Sequence, residues 1–227
     1  MYEQVIDSFK DIIDTDNVFN SLNFSSSLSS LIDSKNNLKF LIGEPGVGKT
    51  FLLYLYKKEF KNPIIIDGLI SQTGFENILK ENYDIIMIDE AQLLDTRMIE
   101  TIRTLSDNDK YKFVLSMHLK EAKDILEKEH FKSRSIDVVE LKPITKEEMI
   151  KYINSILFLN NANHLFSDKE FKIIYKYTKG NFRYIKKFVR TLFELLEFAH
   201  ENKLDNYQYI NKCLLTMTAI KLGLENG

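Results

Sequence analysis

The residues with the clearest chemical signature are 43–50, which read Gly-Glu-Pro-Gly-Val-Gly-Lys-Thr. They match G-x-x-x-x-G-K-[ST] at every fixed position, between an apolar run and a periodic apolar stretch. Glycines there permit positive φ and let backbone N–H groups approach phosphate oxygens, and a helix beginning near Gly48 adds the positive end of its dipole. We expect Lys49 to reach the β- and γ-phosphates of a nucleoside triphosphate and Thr50 to offer its hydroxyl to Mg²⁺. The alternative is a glycine turn without a ligand.

Two acidic residues, Asp89 and Glu90, directly follow the apolar run of residues 85–88. Doubly wound sheets bind their ligands beyond the carboxyl ends of the strands, so both acids would lie at the ligand edge. Asp89 would hold Mg²⁺, because a hard divalent cation prefers carboxylate oxygen. Glu90 would orient and polarise the water that attacks the γ-phosphorus. The alternative is that two acids simply end a buried strand at the surface.

Ser116 ends another predicted strand, which begins at residue 112, and His118 follows two residues later. A polar side chain there, beside the strand that ends in Asp89, would hydrogen-bond the γ-phosphate or the attacking water. Ser116 is the first candidate for this task and His118 the second. The alternatives are an ordinary strand end for Ser116 and a surface or cap histidine for His118.

Two arginines are candidates for contacts with the same phosphates. Arg134 precedes the last predicted strand and would suit a neighbouring subunit's γ-phosphate, because a planar guanidinium matches developing phosphoryl charge; otherwise it is a solvated loop residue. Arg183 follows Gly180 and Asn181, which indicate a helix end and the next N-cap, so it begins a helix that would face the phosphates. A basic stripe at helical spacing predicts either nucleic-acid or anionic-lipid contact or a solvated helix face: Arg183, Lys186, Lys187 and Arg190.

Strands and helices alternate along residues 38–143. Continuous apolar runs such as residues 64–66 are typical of buried parallel strands, and the alternation predicts a doubly wound, five-stranded parallel α/β sheet covered on both faces. Single helices are predicted from the glycine loop to about Lys61 and from Ala91 to Leu105.

Beyond residue 143 no strand is predicted, and capping boxes at Thr145 and Ser167 open helices. The domains predicted are therefore a helical lead-in over 1–37, an α/β nucleotide domain over 38–143 and a small helical domain over 144–227.

The composition is that of an ordinary soluble globular protein, with 227 residues, 44% hydrophobic and 28% charged. The net charge of −2 excludes an overall basic field, so any contact with nucleic acid must come from a local patch. The single cysteine, Cys213, excludes an internal disulfide. No apolar run approaches the roughly 18–20 residues that span a bilayer, and the acidic N-terminus is unlike a signal peptide. We expect a cytoplasmic protein.

Together these motifs resemble the AAA+ ATPases, in that superfamily's order: the glycine loop, the strand ending in two acids, the polar strand end, the arginine before the fifth strand and the turn at 180–183. Residues 88–92 (Ile-Asp-Glu-Ala-Gln), residues 141–148 and the Gly-Asn-x-Arg turn look like the ExeA-like general secretion pathway ATPases and their relatives, which include transposition-helper and origin-recognition-type ATPases. The resemblance covers residues 20–200 in broad terms.

The resemblance implies an ATP site with Mg²⁺ and assigns a role to each matching residue. Nucleotide binding would fall to Gly43, Glu44, Pro45, Gly46, Val47, Gly48, Lys49, Thr50 and Phe51, with Arg183 as the second sensor on a helical lid. Metal ligation would fall to Thr50 and Asp89, and catalysis to Lys49, Glu90, Ser116 as first sensor and Arg134 as a finger acting in a neighbouring subunit. The family's first sensor is often an amide or a threonine, so Ser116 departs from the pattern.

We therefore expect an ATP hydrolase that moves its lid with nucleotide state and forms homo-oligomers with ATP. By resemblance alone, its client would be a membrane-associated secretion or DNA-uptake machine, reached at the inner membrane through a membrane-bound partner. The first alternative is a DNA-associated regulator of replication initiation or transposition. The second is a nucleotide-gated switch that does not hydrolyse ATP.

Overall fold

The computed structural model describes residues 2–10, 22–107, 111–132, 136–162 and 165–224. The chain forms two compact units, which we call the α/β unit (Thr15–Lys142) and the helical unit (Met1–Asp14 with Pro143–Gly227). The strands are β1 (Leu38–Gly43), β2 (Pro63–Asp67), β3 (Ile85–Asp89), β4 (Phe113–His118) and β5 (Asp137–Glu140). The helices are α1 (Glu3–Ser8), α2 (Leu22–Asp33), α3 (Lys49–Lys57), α4 (Gln72–Lys80), α5 (Thr96–Ser106), α6 (Leu119–Leu126), α7 (Glu129–Lys132), α8 (Lys146–Leu159), α9 (Asp168–Thr178), α10 (Phe182–Glu201) and α11 (Lys212–Lys221).

The predicted five-stranded parallel sheet is confirmed, with the strand order β2-β3-β4-β1-β5. Each residue of β1 is buried, and its neighbour β4 is buried up to Met117. The registers Gly43↔His118 and Ile88↔Leu115 bring the carboxyl ends of β1, β3 and β4 to one edge of the sheet. One face packs into an apolar core around Phe40, Ile102 and Phe113, none of which is exposed.

The segment after β3 differs from the single helix predicted over 91–105. A short 3₁₀ turn, Ala91–Leu93, comes first, and α5 begins only at Thr96. The extended conformation of Leu94 (φ −66°, ψ 143°) interrupts the helical path. Asp95 then opens α5 as its N-cap, because its carboxylate accepts a hydrogen bond of 2.7 Å from the N–H of Met98. The helix after the glycine loop is also shorter than predicted and ends at Lys57, before a turn that leads to β2.

The helical unit contains no strand among its described residues. Both predicted capping boxes are present, at Thr145 for α8 and at Ser167 for α9. The longest helix, α10, buries one stripe of apolar side chains at helical spacing: Ile185, Phe188, Val189, Leu192, Phe193 and Leu196. None of the helices described here is both long enough and apolar enough to cross a bilayer.

The first helix belongs to the helical unit, whereas the sequence predicted residues 1–37 as the lead-in to the nucleotide domain. Val5 and Phe9, on its apolar face, are buried. The ring of Phe9 lies 6.1 Å from that of Tyr152 on α8, and the ring of Tyr2 lies 5.2 Å from that of Phe193 on α10. The helices that cover Val5 and Phe9 are distant in the chain, so local sequence did not indicate this packing.

Candidate nucleotide site

The glycine loop, residues 44–48, connects β1 to α3 at the carboxyl edge of the sheet. Gly46 and Gly48 have the left-handed φ values of +82° and +105° that favour glycine. A Cβ on Gly48 would also lie 2.6 Å from the ring of Phe24, on α2. Val47 is buried and anchors the middle of the loop. The loop therefore has the backbone conformation that its spacing predicted.

Lys49 is the first residue of α3, and only 5% of it is exposed. Its Nζ donates hydrogen bonds to the backbone carbonyls of Gly43 (2.9 Å) and Glu44 (3.2 Å), so the ammonium folds back over the loop. The N-cap residue of this nine-residue helix is Gly48, which has no side chain that could cap the first N–H groups. A positive charge and the positive end of a helix dipole thus share one loop, which suits an anion such as phosphate.

The carboxylate of Asp89, the last residue of β3, accepts three hydrogen bonds from the described residues. Thr50 Oγ1 donates to Asp89 Oδ2 over 2.6 Å. Ser116 Oγ donates to Oδ1 over 2.7 Å, and the N–H of Glu90 donates to the same oxygen over 3.1 Å. The first turn of α3, β3 and β4 therefore meet at one carboxylate.

Ser116 is completely buried, and its hydroxyl proton is engaged by Asp89. The sequence predicted that this hydroxyl contacts the γ-phosphate or the attacking water. In the structure the hydroxyl donates to Asp89, the candidate metal ligand, and so orients that carboxylate. Its contact with the phosphate or the water stays a prediction.

The backbone of Glu90 is held in the left-handed region (φ 51°, ψ 40°), which is uncommon for a residue with a side chain. Gly68, just after β2, packs against it so closely that a Cβ there would lie 2.2 Å from the carbonyl oxygen of Glu90. The N–H of Gly68 also donates to the carbonyl of Asp89 over 2.8 Å. Sequence reasoning missed this role of Gly68, although a glycine directly after an apolar strand was a signal for close backbone approach.

The side chain of Glu90 is 38% exposed and has two neighbours at Oε2. Gln92 donates a hydrogen bond from Nε2, and His118 Nε2 lies 3.4 Å away. The sequence had proposed His118 as a second candidate for contact with phosphate and had assigned nothing to Gln92. The structure brings both of them to the second acid.

Three further residues were predicted for the site: Phe51, Arg183 and Arg134. Phe51, on α3, packs edge-to-face with Phe24 at a centroid distance of 5.6 Å. Arg183 is exposed in the first turn of α10, within the helical unit, and the predicted N-cap Asn181 accepts a hydrogen bond of 3.3 Å from the N–H of Tyr184. Arg134 lies outside the described residues.

The residues of the α/β unit fit a triphosphate with Mg²⁺. A hydroxyl oxygen and a carboxylate oxygen, the donors that Mg²⁺ prefers, stand 2.6 Å apart at Thr50 and Asp89. The Thr50 hydroxyl and the Asp89 carboxylate would hold the cation, which would neutralise negative charge on the phosphate oxygens. The loop and the Lys49 ammonium supply the positive cradle for phosphate beside them.

No protein-family model and no curated protein sequence matches the chain. Solved structures do. A Walker-type ATPase of Pyrococcus abyssi superposes with a TM-score of 0.65 at 15% identity, over 88% of this chain and 78% of that one. A point mutant of RuvB from Thermotoga maritima gives 0.65 at 21%, over 88% and 68%. Domain III of the replication initiation protein DnaA from the same organism gives 0.55 at 18%, over 92% and 94%. At these identities the likeness concerns the fold.

Proposed function

We propose that this chain, which has the fold of the AAA+ ATPases, is a Mg²⁺-dependent ATP hydrolase. The observation that carries the proposal is the 2.6 Å hydrogen bond between Thr50 and Asp89, which joins the helix start directly after the glycine loop to the acidic end of β3. A phosphate loop alone supports binding. A loop joined to a metal-ligating carboxylate, with the second carboxylate of Glu90 beside it, also supports hydrolysis.

Each residue has a separate task in the proposed reaction. Lys49 and the N–H groups of the loop hold the phosphates, and Thr50 with Asp89 holds Mg²⁺. When bound, the metal neutralises charge on the phosphate oxygens. Glu90 orients a water molecule and takes its proton as the water oxygen bonds to the γ-phosphorus and the bond to the ADP oxygen breaks. Ser116 fixes the orientation of Asp89 through its 2.7 Å hydrogen bond.

The proposal is tested by steady-state release of phosphate from ATP by the wild type and by Glu90→Gln. The substitution keeps the shape of the side chain but removes its basicity, so we expect kcat to fall about 10²- to 10⁴-fold while ATP affinity is retained. Glu76→Gln, which changes an exposed glutamate on α4, is the matched control and should leave the rate unchanged.

Two results would contradict this assignment. Equal turnover by the wild type and Glu90→Gln would remove Glu90 from the reaction. A wild type that binds ATP with Mg²⁺ but releases no phosphate would favour the nucleotide-gated switch over the hydrolase.

A DNA-associated role is the second candidate, and two observations favour it. The chain shares its fold with a domain of a replication initiation protein. Arg183 and Lys187 are exposed on α10, while Arg190 pairs with Glu194 at 3.0 Å. We expect affinity for duplex DNA, measured with a non-hydrolysable ATP analogue, to fall steeply with salt.

The residue-level test of that role is Lys187→Ala. If this side chain contacts a phosphate, the slope of log affinity against log salt should fall by about 1. Lys172→Ala, at an exposed position of α9, is the matched control. Absence of binding at low salt with the analogue present would count against the role.

A client in a membrane-associated secretion or DNA-uptake machine remains a proposal that motif resemblance alone supports. It requires a membrane-bound partner at the inner membrane. We expect such a partner to copurify with Glu90→Gln in the presence of ATP and to be lost with ADP. Equal recovery with both nucleotides would contradict nucleotide-controlled coupling.

Homo-oligomer formation in the ATP state is proposed on the same resemblance, with Arg134 acting on a neighbouring subunit's γ-phosphate. Sedimentation of Glu90→Gln with ATP should give a larger species than with ADP, and Arg134→Ala should lower the hydrolysis rate of the assembled protein. If Arg134→Ala changes neither the rate nor the assembly, this role is wrong.

A further inference from the structure

The end of β4 contacts both acids that follow one another at the end of β3. Ser116 donates to Asp89 over 2.7 Å, and His118 Nε2 lies 3.4 Å from Glu90 Oε2. Because side chains alternate along a strand, Ser116 and His118, two residues apart, point to the same face, while Met117 between them is buried on the other. The end of β4 thus places one polar side chain beside each carboxylate: Ser116 beside Asp89 and His118 beside Glu90.

The backbone of Glu90 is already fixed before its side chain is considered. It is in the left-handed region, and the absence of a Cβ at Gly68 allows the close packing against its carbonyl. A long carboxylate on a fixed backbone still has three side-chain torsions to settle. Where the carboxylate points is therefore decided by what touches its oxygens.

Among the described residues, Gln92 Nε2 donates a hydrogen bond to Glu90 Oε2, and His118 Nε2 lies 3.4 Å from the same oxygen. Gln92 Oε1 is buried and has no hydrogen-bond partner among the described residues. Rotating the amide would bring this oxygen against the Glu90 carboxylate, where two acceptors repel. The amide is therefore oriented as a donor to Glu90, even though an unpartnered buried acceptor carries a cost.

We propose that His118 is the positioning residue of Glu90: its imidazole, with Nε2 3.4 Å from Oε2, holds the carboxylate in the orientation from which it activates water. The inference rests on the proposed ATP hydrolysis and deepens it. His118 acts here through Glu90, whereas a sensor of phosphate would act on the nucleotide itself. Gln92 shares the task through its hydrogen bond to the same oxygen.

The test is a double-mutant cycle on the full chain with His118→Ala, Glu90→Gln and the double variant, measuring kcat, KM and the dissociation constant of ATP. We expect His118→Ala to lower kcat about 10- to 100-fold, because a misplaced base loses the geometry of attack, with ATP affinity unchanged. His118→Gln, which restores an N–H donor, should recover most of the rate. Lys120→Ala, at an exposed position two residues further on, is the control.

The decisive comparison is made in the Glu90→Gln background. If His118 acts through Glu90, His118→Ala should leave the residual rate of that background unchanged, since residues that act as a unit are not additive. An equal loss in both backgrounds, weaker ATP binding by His118→Ala, or a rise in kcat would overturn the inference.

Failure of the inference is distinguishable from failure of the proposed function. A wild type that hydrolyses ATP, with Glu90→Gln impaired and His118→Ala fully active, overturns the positioning role alone. A wild type without ATP hydrolysis overturns the hydrolase and the positioning role together.

Discussion

Two buried lysines ten residues apart, Lys39 and Lys49, have different surroundings. They are 6% and 5% exposed and lie in the same strand–loop–helix segment. Lys39 Nζ donates to the carbonyl of Leu31 (2.7 Å), in the last turn of α2, and to the hydroxyl of Tyr56 (2.8 Å). Lys49 Nζ donates to the carbonyls of the glycine loop itself. The two side chains are buried to nearly the same extent, so the two lysines differ in their hydrogen-bond partners rather than in their burial.

The partners of Lys39 belong to a closed structural cluster. Tyr56 donates to the same Leu31 carbonyl over 3.0 Å, and Lys39 Nζ lies 5.3 Å from the centre of the Tyr56 ring. These contacts tie α2 to β1 and α3, and they satisfy a carbonyl that the end of a helix leaves open. Lys49, by contrast, holds a loop whose own N–H groups suit an anion. A buried ammonium is thus structural in one place and a candidate ligand group in the other.

The largest expected effect that tests this contrast is that of Lys49→Met on ATP binding. Loss of the ammonium should weaken ATP about 100-fold, or about 2.7 kcal/mol, because a desolvated charge no longer faces the phosphates. The thermal midpoint should stay close to that of the wild type. Calorimetric titration with ATP and Mg²⁺ measures the first, and a thermal scan the second. If Lys49→Met bound ATP with wild-type affinity, Lys49 would not be a ligand group and would not differ from Lys39 in this respect.

The next effect in size is that of Tyr56→Phe on stability. The hydroxyl accepts from Lys39 and donates to Leu31, so its removal leaves the buried ammonium with one hydrogen bond fewer. We expect the free energy of unfolding to fall by about 1–3 kcal/mol in urea titrations at pH 7, with ATP affinity unchanged. A loss of ATP affinity without loss of stability would reverse the assignment.

The same variant carries a pH prediction. Burial, and after it the charge of Glu59, raises the pKa of Tyr56 from 10.0 to about 12. The unfolded chain releases this proton near pH 10, so the contribution of Tyr56 to stability is complete below pH 10 and is lost as the pH rises toward 12. The stability difference between the wild type and Tyr56→Phe should therefore narrow over that range. A difference that stays constant would contradict the raised pKa.

The smallest effect is expected from Lys39→Met. Burial lowers the pKa of Lys39, against the raising effect of Asp137, so holding its charge in the fold has a cost at pH 7. Methionine fills a similar volume, and Tyr56 still satisfies the Leu31 carbonyl. The free energy of unfolding should change by less than about 1 kcal/mol or increase slightly. ATP binding reduced as much as in Lys49→Met would contradict a purely structural role.

The sequence allowed the prediction of features that depend on neighbouring residues. Buried parallel strands need continuous apolar runs, so residues 85–88 predicted β3, and side-chain caps three residues from their targets predicted the starts of α8 and α9. The spacing of residues 43–50 predicted the left-handed glycines of the loop. In each case the cause and its effect lie within a few residues.

What depended on distant contacts was not predicted. Lys39 lies in a strand among apolar residues, and nothing nearby indicates that Leu31 and Tyr56 bind its ammonium. The break in the helix predicted over 91–105 follows a left-handed Glu90 that packs against Gly68, a residue of another strand end. Ser116 and His118 were recognised as site candidates, but which acid each would contact was set by the register of β3 and β4.

The central claim is that Glu90 activates the water that hydrolyses ATP held by the glycine loop. A single-turnover measurement tests it most directly. Wild type and Glu90→Gln are mixed in excess over radiolabelled ATP with Mg²⁺, and the bound nucleotide is identified over time. We predict that the wild type converts the bound ATP to ADP, while Glu90→Gln retains ATP at least about 100-fold longer. Conversion at the same rate in both proteins would contradict the account.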